Sequence, residues 1–502
     1  MKKKILIIGG GLGGLFTGAI LAKEGYTVTV LEKNPVIGGG LQTFKYHGEV
    51  FETGMHVLGG FQKGGALYKI CNYLDILKQL DIRTEDSNSF ASITYLSDHK
   101  TYRMGSGKEH FIANLALEFP NEKENLSIYV NELYNLANEV DLFYLRKGSD
   151  RLFSHSEHFF WAADELIAHY IKDTRLQDIL AFMNPMYGGV AHHTPAYIHA
   201  LINVLYIEDS SRFNGGSQQL ADALQDIIQS KGGEVLSNKT VVKVEIKERL
   251  VQYVKTADNC EYNADHYISA IHPCSLLKVV DKKAFPKSYY ERLNEIPNTY
   301  SAFTVYIIFK KGCFPFINHT CYLQKGYNQV WTHGDYDSND WPKGFMFFTP
   351  AKKEQGHFAS KMIINNIMSF NCVKQWENTT VGHRGEDYER WKQQQIEKVL
   401  DRMTEVYPDF RKYIDVSFAS SPLTIRDYYN VKEGSLYGFR KDCQNMALSQ
   451  VPIYTKVYNL LLTGQNINLH GICGVPLTAI NTAEALLGEN VVIDKIKSAN
   501  EI

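Results

Sequence analysis

Residues 4–32, KILIIGGGLGGLFTGAILAKEGYTVTVLE, decide the fold of this 502-residue chain. The β-branched and leucine-rich run 5–8 is typical of a strand buried on both faces. A GxGxxG pattern follows directly, and the apolar run after it predicts a helix to about Glu24, with Gly25 as its left-handed cap. Residues 27–31 predict a second parallel strand. The stretch therefore predicts a βαβ unit.

The glycines and the acid of this unit suit a bound dinucleotide. Gly9 permits the tight turn, Gly11 lets the backbone approach a pyrophosphate, and Gly14 lets the helix lie close to the strand. Free N–H groups at the helix N-terminus face the phosphates. Glu32, 21 residues after Gly11, ends the second strand, where a carboxylate accepts hydrogen bonds from ribose hydroxyls. A turn used only for packing would not explain Glu32, so we expect a nucleotide site.

A second glycine cluster separates the two candidate cofactors, NAD and FAD. Gly38-Gly39-Gly40-Leu41-Gln42-Thr43 stands just past Glu32, and Phe51-Glu52-Thr53-Gly54-Met55-His56 follows. In these segments the chain resembles the FAD-binding domain of the family that contains phytoene desaturases, carotenoid isomerases and all-trans-retinol 13,14-reductase (retinol saturase). A plain NAD dehydrogenase has no use for the second cluster. The resemblance therefore implies FAD.

Three later segments match the same family in order. The first is Phe213-Asn214-Gly215-Gly216, followed by a predicted amphipathic helix with Leu220, Leu224, Ile227 and Ile228 on one face. The second is a predicted strand at 240–246, in which Val242 occupies the position that touches adenine through main-chain atoms in the family, and a further strand at 267–272 closes that unit. The third is Leu460-Leu461-Leu462-Thr463-Gly464-Gln465, followed by a helix through Gly471, Gly474, Val475 and Pro476. The resemblance implies that this last helix points its N-terminus at the flavin.

Two positions depart from the family pattern. Gln465 stands where most members carry an aspartate for the ribitol chain, and the retinol-saturase-like branch also carries glutamine there. Gly40 stands where many members carry an arginine beside the pyrophosphate. The first departure favours the retinol-saturase-like branch of the family. The second implies that one phosphate contact is missing.

The resemblance implies an α/β fold, in which an FAD-binding Rossmann-type domain of the glutathione-reductase or amine-oxidase kind carries an interleaved α+β substrate domain. We expect the FAD-binding domain in residues 1–84, 206–284 and 426–502, and the substrate domain in residues 85–205 and 285–425. The implied cofactor-binding residues are Gly9, Gly11, Leu12, Gly13, Gly14, Glu32, Lys33, Gly39, Gly40, Leu41, Thr43, Met55, His56, Val242, Gly464, Gln465, Gly474 and Val475.

The two long insertions bear on the substrate. Residues 301–309, 346–349 and 362–369 predict strands of a mixed sheet that roofs the flavin. Phe159, Phe160, Leu166, Ile167, Tyr170 and Ile171 form an apolar stripe at helical spacing. This stripe is either ordinary core, or the wall of a tunnel or a membrane contact for a long apolar molecule. The sequence leaves both interpretations open.

Two residues are candidates for catalysis. His56 follows Gly54-Met55 in the loop expected beside the flavin, where an imidazole donates or accepts a proton. Tyr437, in Gly434-Ser435-Leu436-Tyr437-Gly438, belongs with residues 424–429 to a stretch that resembles the one flanking the substrate cavity in carotenoid desaturases. A packing role is the alternative for each. Cys473 is interpreted as a small filler, since no cysteine stands near it in sequence.

Composition narrows the partners. A formal net charge of -2 provides no basic field for nucleic acid. The eight cysteines are scattered without a CxxC pair, and the 17 histidines include no HExxH, so we assign no metal and expect a reducing, cytoplasmic setting. No stretch is apolar for long enough to predict a transmembrane helix. Peripheral contact is then the expected form of any membrane association.

FAD passes a hydride through N5, so the protein need only hold a carbon–carbon bond against the ring and control the proton supply. The resemblance implies an oxidoreductase that acts on CH–CH groups, by saturation, desaturation or isomerisation, in a hydrophobic and isoprenoid or polyene substrate. No second dinucleotide fingerprint occurs, so the electron partner is oxygen, a quinone or reduced nicotinamide that enters the substrate channel. The alternatives are an amine-oxidase-like enzyme on the same scaffold and a flavin-stabilised binding protein without turnover.

Overall fold

The computed structural model of the chain describes residues 3–148, 154–334, 337–354 and 356–501. Two large sheets organise them, one parallel with five strands and one mixed with seven. Smaller ladders of two and three strands lie beside these sheets. Within the described ranges, no helix combines the length and the apolar character needed to cross a membrane.

The elements are numbered in chain order. The strands are β1 (Lys4–Ile8), β2 (Thr27–Leu31), β3 (Thr43–Tyr46), β4 (Glu49–Glu52), β5 (Ile82–Thr84), β6 (Ala91–Tyr95), β7 (Lys100–Met104), β8 (Ser211–Phe213), β9 (Glu234–Leu236), β10 (Val241–Lys247), β11 (Leu250–Thr256), β12 (Glu261–Tyr262), β13 (His266–Ser269), β14 (Ser301–Phe309), β15 (Phe314–Pro315), β16 (Thr320–Gln324), β17 (Gly344–Phe348), β18 (Phe358–Ala359), β19 (Lys361–Met368), β20 (Ile414–Ser420) and β21 (Leu460–Leu462). The α-helices are α1 (Leu12–Lys23), α2 (Ala66–Tyr73), α3 (Lys108–Glu118), α4 (Lys123–Asn138), α5 (Ala163–Tyr170), α6 (Thr174–Leu180), α7 (Ala196–Glu208), α8 (Gln218–Ser230), α9 (Pro273–Leu276), α10 (Lys287–Glu295), α11 (Glu386–Val406), α12 (Phe410–Tyr413), α13 (Pro422–Tyr429), α14 (Met446–Ser449), α15 (Gly471–Leu487) and α16 (Val491–Ala499).

The parallel sheet, in the order β21-β13-β1-β2-β9, confirms the predicted βαβ unit. The run 5–8 lies in β1, the strand predicted at 27–31 is β2, and α1 ends one residue before the predicted end. In the register of the sheet, Ile7 lies opposite Val30 on one side and Ile268 on the other. All three side chains are fully buried, as expected for a strand covered on both faces.

The seven-stranded sheet has the order β20-β14-β19-β17-β16-β6-β7. The strand predicted at 301–309 is β14 residue for residue, and those predicted at 346–349 and 362–369 correspond to β17 and β19. Because side chains alternate along a strand, Phe303, Val305 and Ile307 pack in the core beside α11, and Ala302 and Thr304 face the other way. That second face looks toward the parallel sheet.

The predicted apolar stripe is interrupted in the structure. A 3-10 turn at Glu157–Phe160 is separated from α5 by Trp161 and Ala162, which are extended. Phe160 is 45% exposed, whereas Phe159 and Leu166 are part of the main core. No residue of the stripe lines the cavity described below, so the stripe is not the wall of that cavity, and its contact with a membrane stays a prediction.

The strands of the parallel sheet all lie within 1–84, 206–284 and 426–502, and those of the seven-stranded sheet within 85–205 and 285–425. Two of the predicted boundaries need correction, because α7 runs across 205/206 and α13 across 425/426. A boundary falls in a loop rather than inside a helix. The remaining boundaries stay predictions.

Candidate active site

A cavity of about 400 Å³ lies between the two large sheets. Its floor includes Ile8, Leu31, Ala270 and Gly464, which stand at or just after the carboxyl ends of the parallel strands. Ligands of open α/β sheets bind at this edge. The inner face of the seven-stranded sheet and one side of α7 complete the wall.

Glycines bring the first helix against the returning C-terminal segment. A Cβ atom on Gly13 would lie 2.8 Å from the Cα of Gly464, and one on Gly14 would lie 1.9 Å from the main-chain oxygen of Gly9. Gly11, the N-cap of α1, is extended and provides no side-chain cap. The first N–H groups of α1 therefore meet the cavity without a capping side chain, which suits an anion such as a pyrophosphate.

Glu32 is buried just after β2 and lines the cavity. Its Oε2 accepts a hydrogen bond from the Gly10 N–H at 2.9 Å, and its Oε1 accepts one from the Asn34 N–H at 2.8 Å. Each carboxylate oxygen retains a further lone pair. The main chain thus fixes the carboxylate, which can still accept hydrogen bonds from the two hydroxyls of a ribose.

Lys33 ties α13 to this end of the cavity. Its ammonium donates to the main-chain carbonyl of Asp427, whose carboxylate pairs with the Arg384 guanidinium at 2.6 Å. Burial lowers the pKa of Lys33, and the neighbouring Glu32 carboxylate opposes that shift. Lys33 is thus a partly buried cation beside Glu32, the residue predicted to bind the ribose.

Most of the predicted cofactor residues line the cavity, namely Gly9, Gly11, Leu12, Gly13, Glu32, Lys33, Gly39, Gly40, Leu41, Met55, His56, Gly464, Gln465, Gly474 and Val475. Gly14, Thr43 and Val242 do not. Gly14 lies under the turn against Gly9, and Thr43 packs so closely on Gly216 that a Cβ there would lie 2.7 Å from its methyl group. Val242 is 48% exposed, because a bulge in β10 shifts the register, and Thr240 and Val241 line the cavity instead.

The two predicted catalytic residues both reach the cavity. His56 is buried, with Nδ1 at 3.5 Å from Oε2 of Glu52 and its ring centroid 5.1 Å from that of Phe348. The Tyr437 hydroxyl donates to the main-chain carbonyl of Pro185 at 3.1 Å. Burial raises the pKa of Tyr437, so its hydroxyl keeps its proton at neutral pH.

Several lining residues were not named individually from the sequence, although some lie in the segments 301–309, 346–349, 362–369 and 424–429 that it placed near the flavin or the substrate. They are Ile198, Leu201, Ile202 and Leu205 of α7, Thr304, Met346 and Asn365 of the roof, Tyr429 of α13, and His470 before α15. The sequence of α7 is predominantly apolar around the helix, as is typical of a buried helix, so it does not single out the face that lines the cavity. Cys473 also lines the cavity, and burial raises the pKa of its thiol to about 12, so the thiol stays protonated.

Comparison with known proteins places these features in context. The family model described as flavin containing amine oxidoreductase matches residues 12–487. Among curated relatives, an all-trans-retinol 13,14-reductase from Macaca fascicularis is 25% identical, with 98% of this chain and 87% of the relative aligned. The prolycopene isomerase 2 of an Oncidium hybrid cultivar, a chloroplastic protein, is 24% identical, with 86% and 74% aligned.

The fold is likewise similar to solved structures. Cyclohexylamine oxidase from Brevibacterium oxydans superimposes with a TM-score of 0.62 over 97% of this chain and 100% of the oxidase, at 15% identity. This similarity confirms the predicted fold class, a Rossmann-type nucleotide domain with an interleaved second domain.

Proposed function

The chain belongs to the family of flavin-containing amine oxidoreductases and is an FAD-dependent oxidoreductase, and on that premise we propose that it acts on a C=C bond of a hydrophobic polyene or isoprenoid. The reaction is saturation, desaturation or isomerisation. The names of the curated relatives, a retinol reductase and a prolycopene isomerase, support this substrate class.

The apolar wall formed by α7 is the observation that carries the proposal. Four of its aliphatic side chains, Ile198, Leu201, Ile202 and Leu205, line the cavity, and Phe143 and Met186 extend the wall. A substrate that packs its apolar surface against this wall removes that surface from water, which favours binding. A long hydrocarbon chain fits it better than a polar metabolite does.

The nucleotide end of the cavity fits FAD. The bare N-terminus of α1 would hold the pyrophosphate, Glu32 the ribose, and Gly464-Gln465 the ribitol chain. FAD, when bound, supplies a hydride acceptor or donor at N5. The chain itself excludes water and controls the proton, and His56 and Tyr437 remain our candidates for that second role.

The neighbouring imidazole of His470 is less suited to proton transfer. It is buried, its ring centroid lies 5.1 Å from that of Tyr437, and burial, helped by the charge of Lys441, lowers its pKa to about 3. His470 is therefore neutral at physiological pH. An imidazole with so low a pKa does not hold the second proton that it would have to deliver, so His470 is not added to the candidates His56 and Tyr437.

The described cavity wall argues against an amine substrate. Glu32 is the one carboxylate among the described lining residues, and its two oxygens are held by main-chain N–H groups at the nucleotide end. An alkylammonium ion in the apolar part of the cavity would have no counter-charge. The amine-oxidase-like alternative therefore has less support than the polyene reading.

Partners and location belong to the same proposal. A quinone, oxygen or reduced nicotinamide would exchange electrons through the cavity. No disulfide joins the eight cysteines in the part of the chain that the structure describes, which fits a reducing compartment such as the cytoplasm. Phe143 lines the cavity and its neighbour Tyr144 is 37% exposed, so this edge is our candidate for peripheral contact with a membrane that carries the substrate.

Anaerobic titration of the FAD-loaded protein tests the proposal. Photoreduced protein that regains its oxidised flavin spectrum on addition of all-trans-retinol or a carotene is a reductase. Oxidised protein that bleaches with a polyene is a desaturase, and a changed polyene isomer without net flavin change indicates an isomerase. The proposal is contradicted if no polyene changes the flavin spectrum and none is isomerised, or if addition of an amine releases hydrogen peroxide.

We expect Tyr429→Phe to raise the dissociation constant of FAD about tenfold or more, as for loss of one hydrogen bond to a charged group. The Tyr429 hydroxyl donates to Oγ1 of Thr53 at 3.2 Å, and a Cβ on Gly54 would lie 2.6 Å from it. A Cβ on Gly40 would lie 3.8 Å from the same hydroxyl, which thus stands where the family arginine would begin. Burial raises the pKa of Tyr429, so the hydroxyl keeps its single proton, which it would turn from Thr53 toward the pyrophosphate.

Fluorescence quenching of free FAD by the deflavinated variant measures the constant. Tyr454→Phe is the matched control, because Tyr454 is 63% exposed and does not line the cavity. Gly54→Ala should weaken FAD as well, since its methyl group would displace the Tyr429 hydroxyl. Unchanged affinity in Tyr429→Phe would remove this residue from the cofactor site.

A further inference from the structure

The inner face of the seven-stranded sheet carries a polar pair among apolar side chains. Asn365 of β19 and Thr304 of β14 lie opposite each other on adjacent strands, and both line the cavity. The inward side chains around them are Ala302, Met346 and Ile367. Asn366 also borders the cavity, but its amide donates to the main-chain carbonyls of Phe303 and Ile364. Every other residue of β19 is buried, whereas Asn365 is only partly buried, because its side chain faces the cavity.

In this pair the Asn365 amide uses its oxygen but not its nitrogen. The Thr304 hydroxyl donates to Oδ1 of Asn365 at 2.8 Å, and this contact fixes the amide plane. Throughout residues 3–148, 154–334, 337–354 and 356–501, no further side-chain hydrogen bond of Asn365 is found. The Nδ2 group therefore offers its donors to the cavity.

A polar group placed in an apolar wall is unfavourable unless a partner satisfies it. A leucine at position 365 would continue the surface formed by Met346 and Ile367. The pair makes no hydrogen bond to another element of the described chain, so fold stability does not explain it. A ligand that brings a hydrogen-bond acceptor to Asn365 would explain the pair.

We infer that Asn365 is the recognition point for a neutral oxygen atom of the substrate, a hydroxyl or a carbonyl, and that it fixes which C=C bond lies against the flavin. This inference rests on the proposed function. It narrows the substrate from any polyene to one that carries such an oxygen.

The charges around the cavity select the neutral oxygen. Lys33 and Lys239 are the lysine or arginine side chains among the described lining residues. Both belong to the nucleotide end, where Lys33 donates to the Asp427 carbonyl and Lys239 pairs with Asp258. A substrate carboxylate at the roof would be buried without a cation, which is costly. The oxygen of an alcohol or a carbonyl carries no charge, so one hydrogen bond from the Asn365 amide satisfies it.

The test compares two polyenes that differ in one oxygen. The probes are all-trans-retinol and axerophthene, which carries a methyl group in place of the hydroxymethyl group. Binding of each probe to the FAD-loaded protein is measured through the change in the flavin spectrum. FAD affinity is measured in parallel. The variants are Asn365→Leu, which keeps the size of the side chain, and Thr304→Val, which releases the amide.

We expect the unmodified protein to prefer retinol about tenfold, as for one hydrogen bond. Asn365→Leu should bring the ratio close to one without changing FAD affinity, and Thr304→Val should give an intermediate ratio. All-trans-retinoic acid should bind more weakly than retinol.

The following results would overturn the inference. A preference for retinol that survives in Asn365→Leu means that another group recognises the oxygen. A parallel loss of FAD affinity in that variant assigns the amide to the cofactor. Equal binding of both probes to the unmodified protein, or a flavin that responds to a carotene but to neither probe, overturns the inference alone. A flavin that responds to none of these polyenes, with no polyene isomerised, overturns it together with the proposed function.

Discussion

Gly13→Ala is expected to raise the dissociation constant of FAD at least about a hundredfold, a loss of roughly 2.7 kcal/mol. The added Cβ would lie 2.8 Å from the Cα and 3.3 Å from the nitrogen of Gly464. Both neighbours are main-chain atoms, so no rotamer change relieves the overlap. Helix α1 and the loop after β21 must then separate, and both form the cavity floor.

Gly18→Ala provides the matched control within the same helix. A Cβ on Gly18 would approach only the side-chain tips of Ile228, Ile7 and Val28, at 3.0, 3.3 and 3.4 Å, and these can shift. Both substitutions gain similar helix propensity, so a difference between them reports the contact with Gly464. Fluorescence titration of the deflavinated proteins gives the affinities, and thermal melting shows whether each variant folds. Equal FAD affinities in the two variants would refute the interpretation of Gly13.

The nucleotide half was predictable because its signals are local. The turn at Gly9, the helix that follows it and the acid at Glu32 all lie within one βαβ unit, and each has a separate steric or electrostatic reason. The return of Gly464 to this unit came from the family resemblance. Val242 does not line the cavity, because a bulge in β10 that the strand pattern does not show shifts the register there, and its main-chain contact with adenine stays a prediction.

The substrate half was less predictable because its cavity is assembled from distant segments. The apolar run of α7 and the stripe near Phe159 look alike in sequence, yet only α7 lines the cavity. Thr304 and Asn365 stand 61 positions apart and meet through strand pairing. Tyr429 reaches the two glycines only because α13 folds back over the cofactor loops. Such contacts depend on tertiary structure and leave no periodic signal.

Arg212→Met is expected to lower the free energy of unfolding by about 3–5 kcal/mol, as for the loss of one partner of a buried ion pair. The Arg212 Nε donates to Oε1 of Glu85 at 2.8 Å, and both residues are only 4% exposed. The same guanidinium donates to the His56 carbonyl at 2.8 Å and to Oγ1 of Thr320 at 2.6 Å, and lies 4.1 Å from the Phe348 ring centroid. Its removal leaves a buried carboxylate unpaired and frees the loop that carries His56.

Urea unfolding measures the loss, and Arg103→Met, a change at an exposed arginine of β7, should stay within about 0.5 kcal/mol of the unmodified protein. Adding Glu85→Gln to Arg212→Met should recover part of the stability, because it removes the unpaired charge. A double variant as unstable as the single one would show that the Arg212 contacts to His56 and Thr320, rather than the ion pair, dominate.

The pH dependence of Arg212→Met distinguishes the ion pair from simple packing. Burial raises the pKa of Glu85, and the Arg212 charge opposes that shift. Without Arg212 the folded-state pKa rises further above the unfolded value, so the folded variant binds more protons and loses stability as pH increases through that interval. The deficit should therefore be smaller at about pH 5 than at about pH 8, and Glu85→Gln should abolish this difference. A deficit of constant size at both pH values would mean that packing around Arg212, not the charge of Glu85, sets the stability of this network.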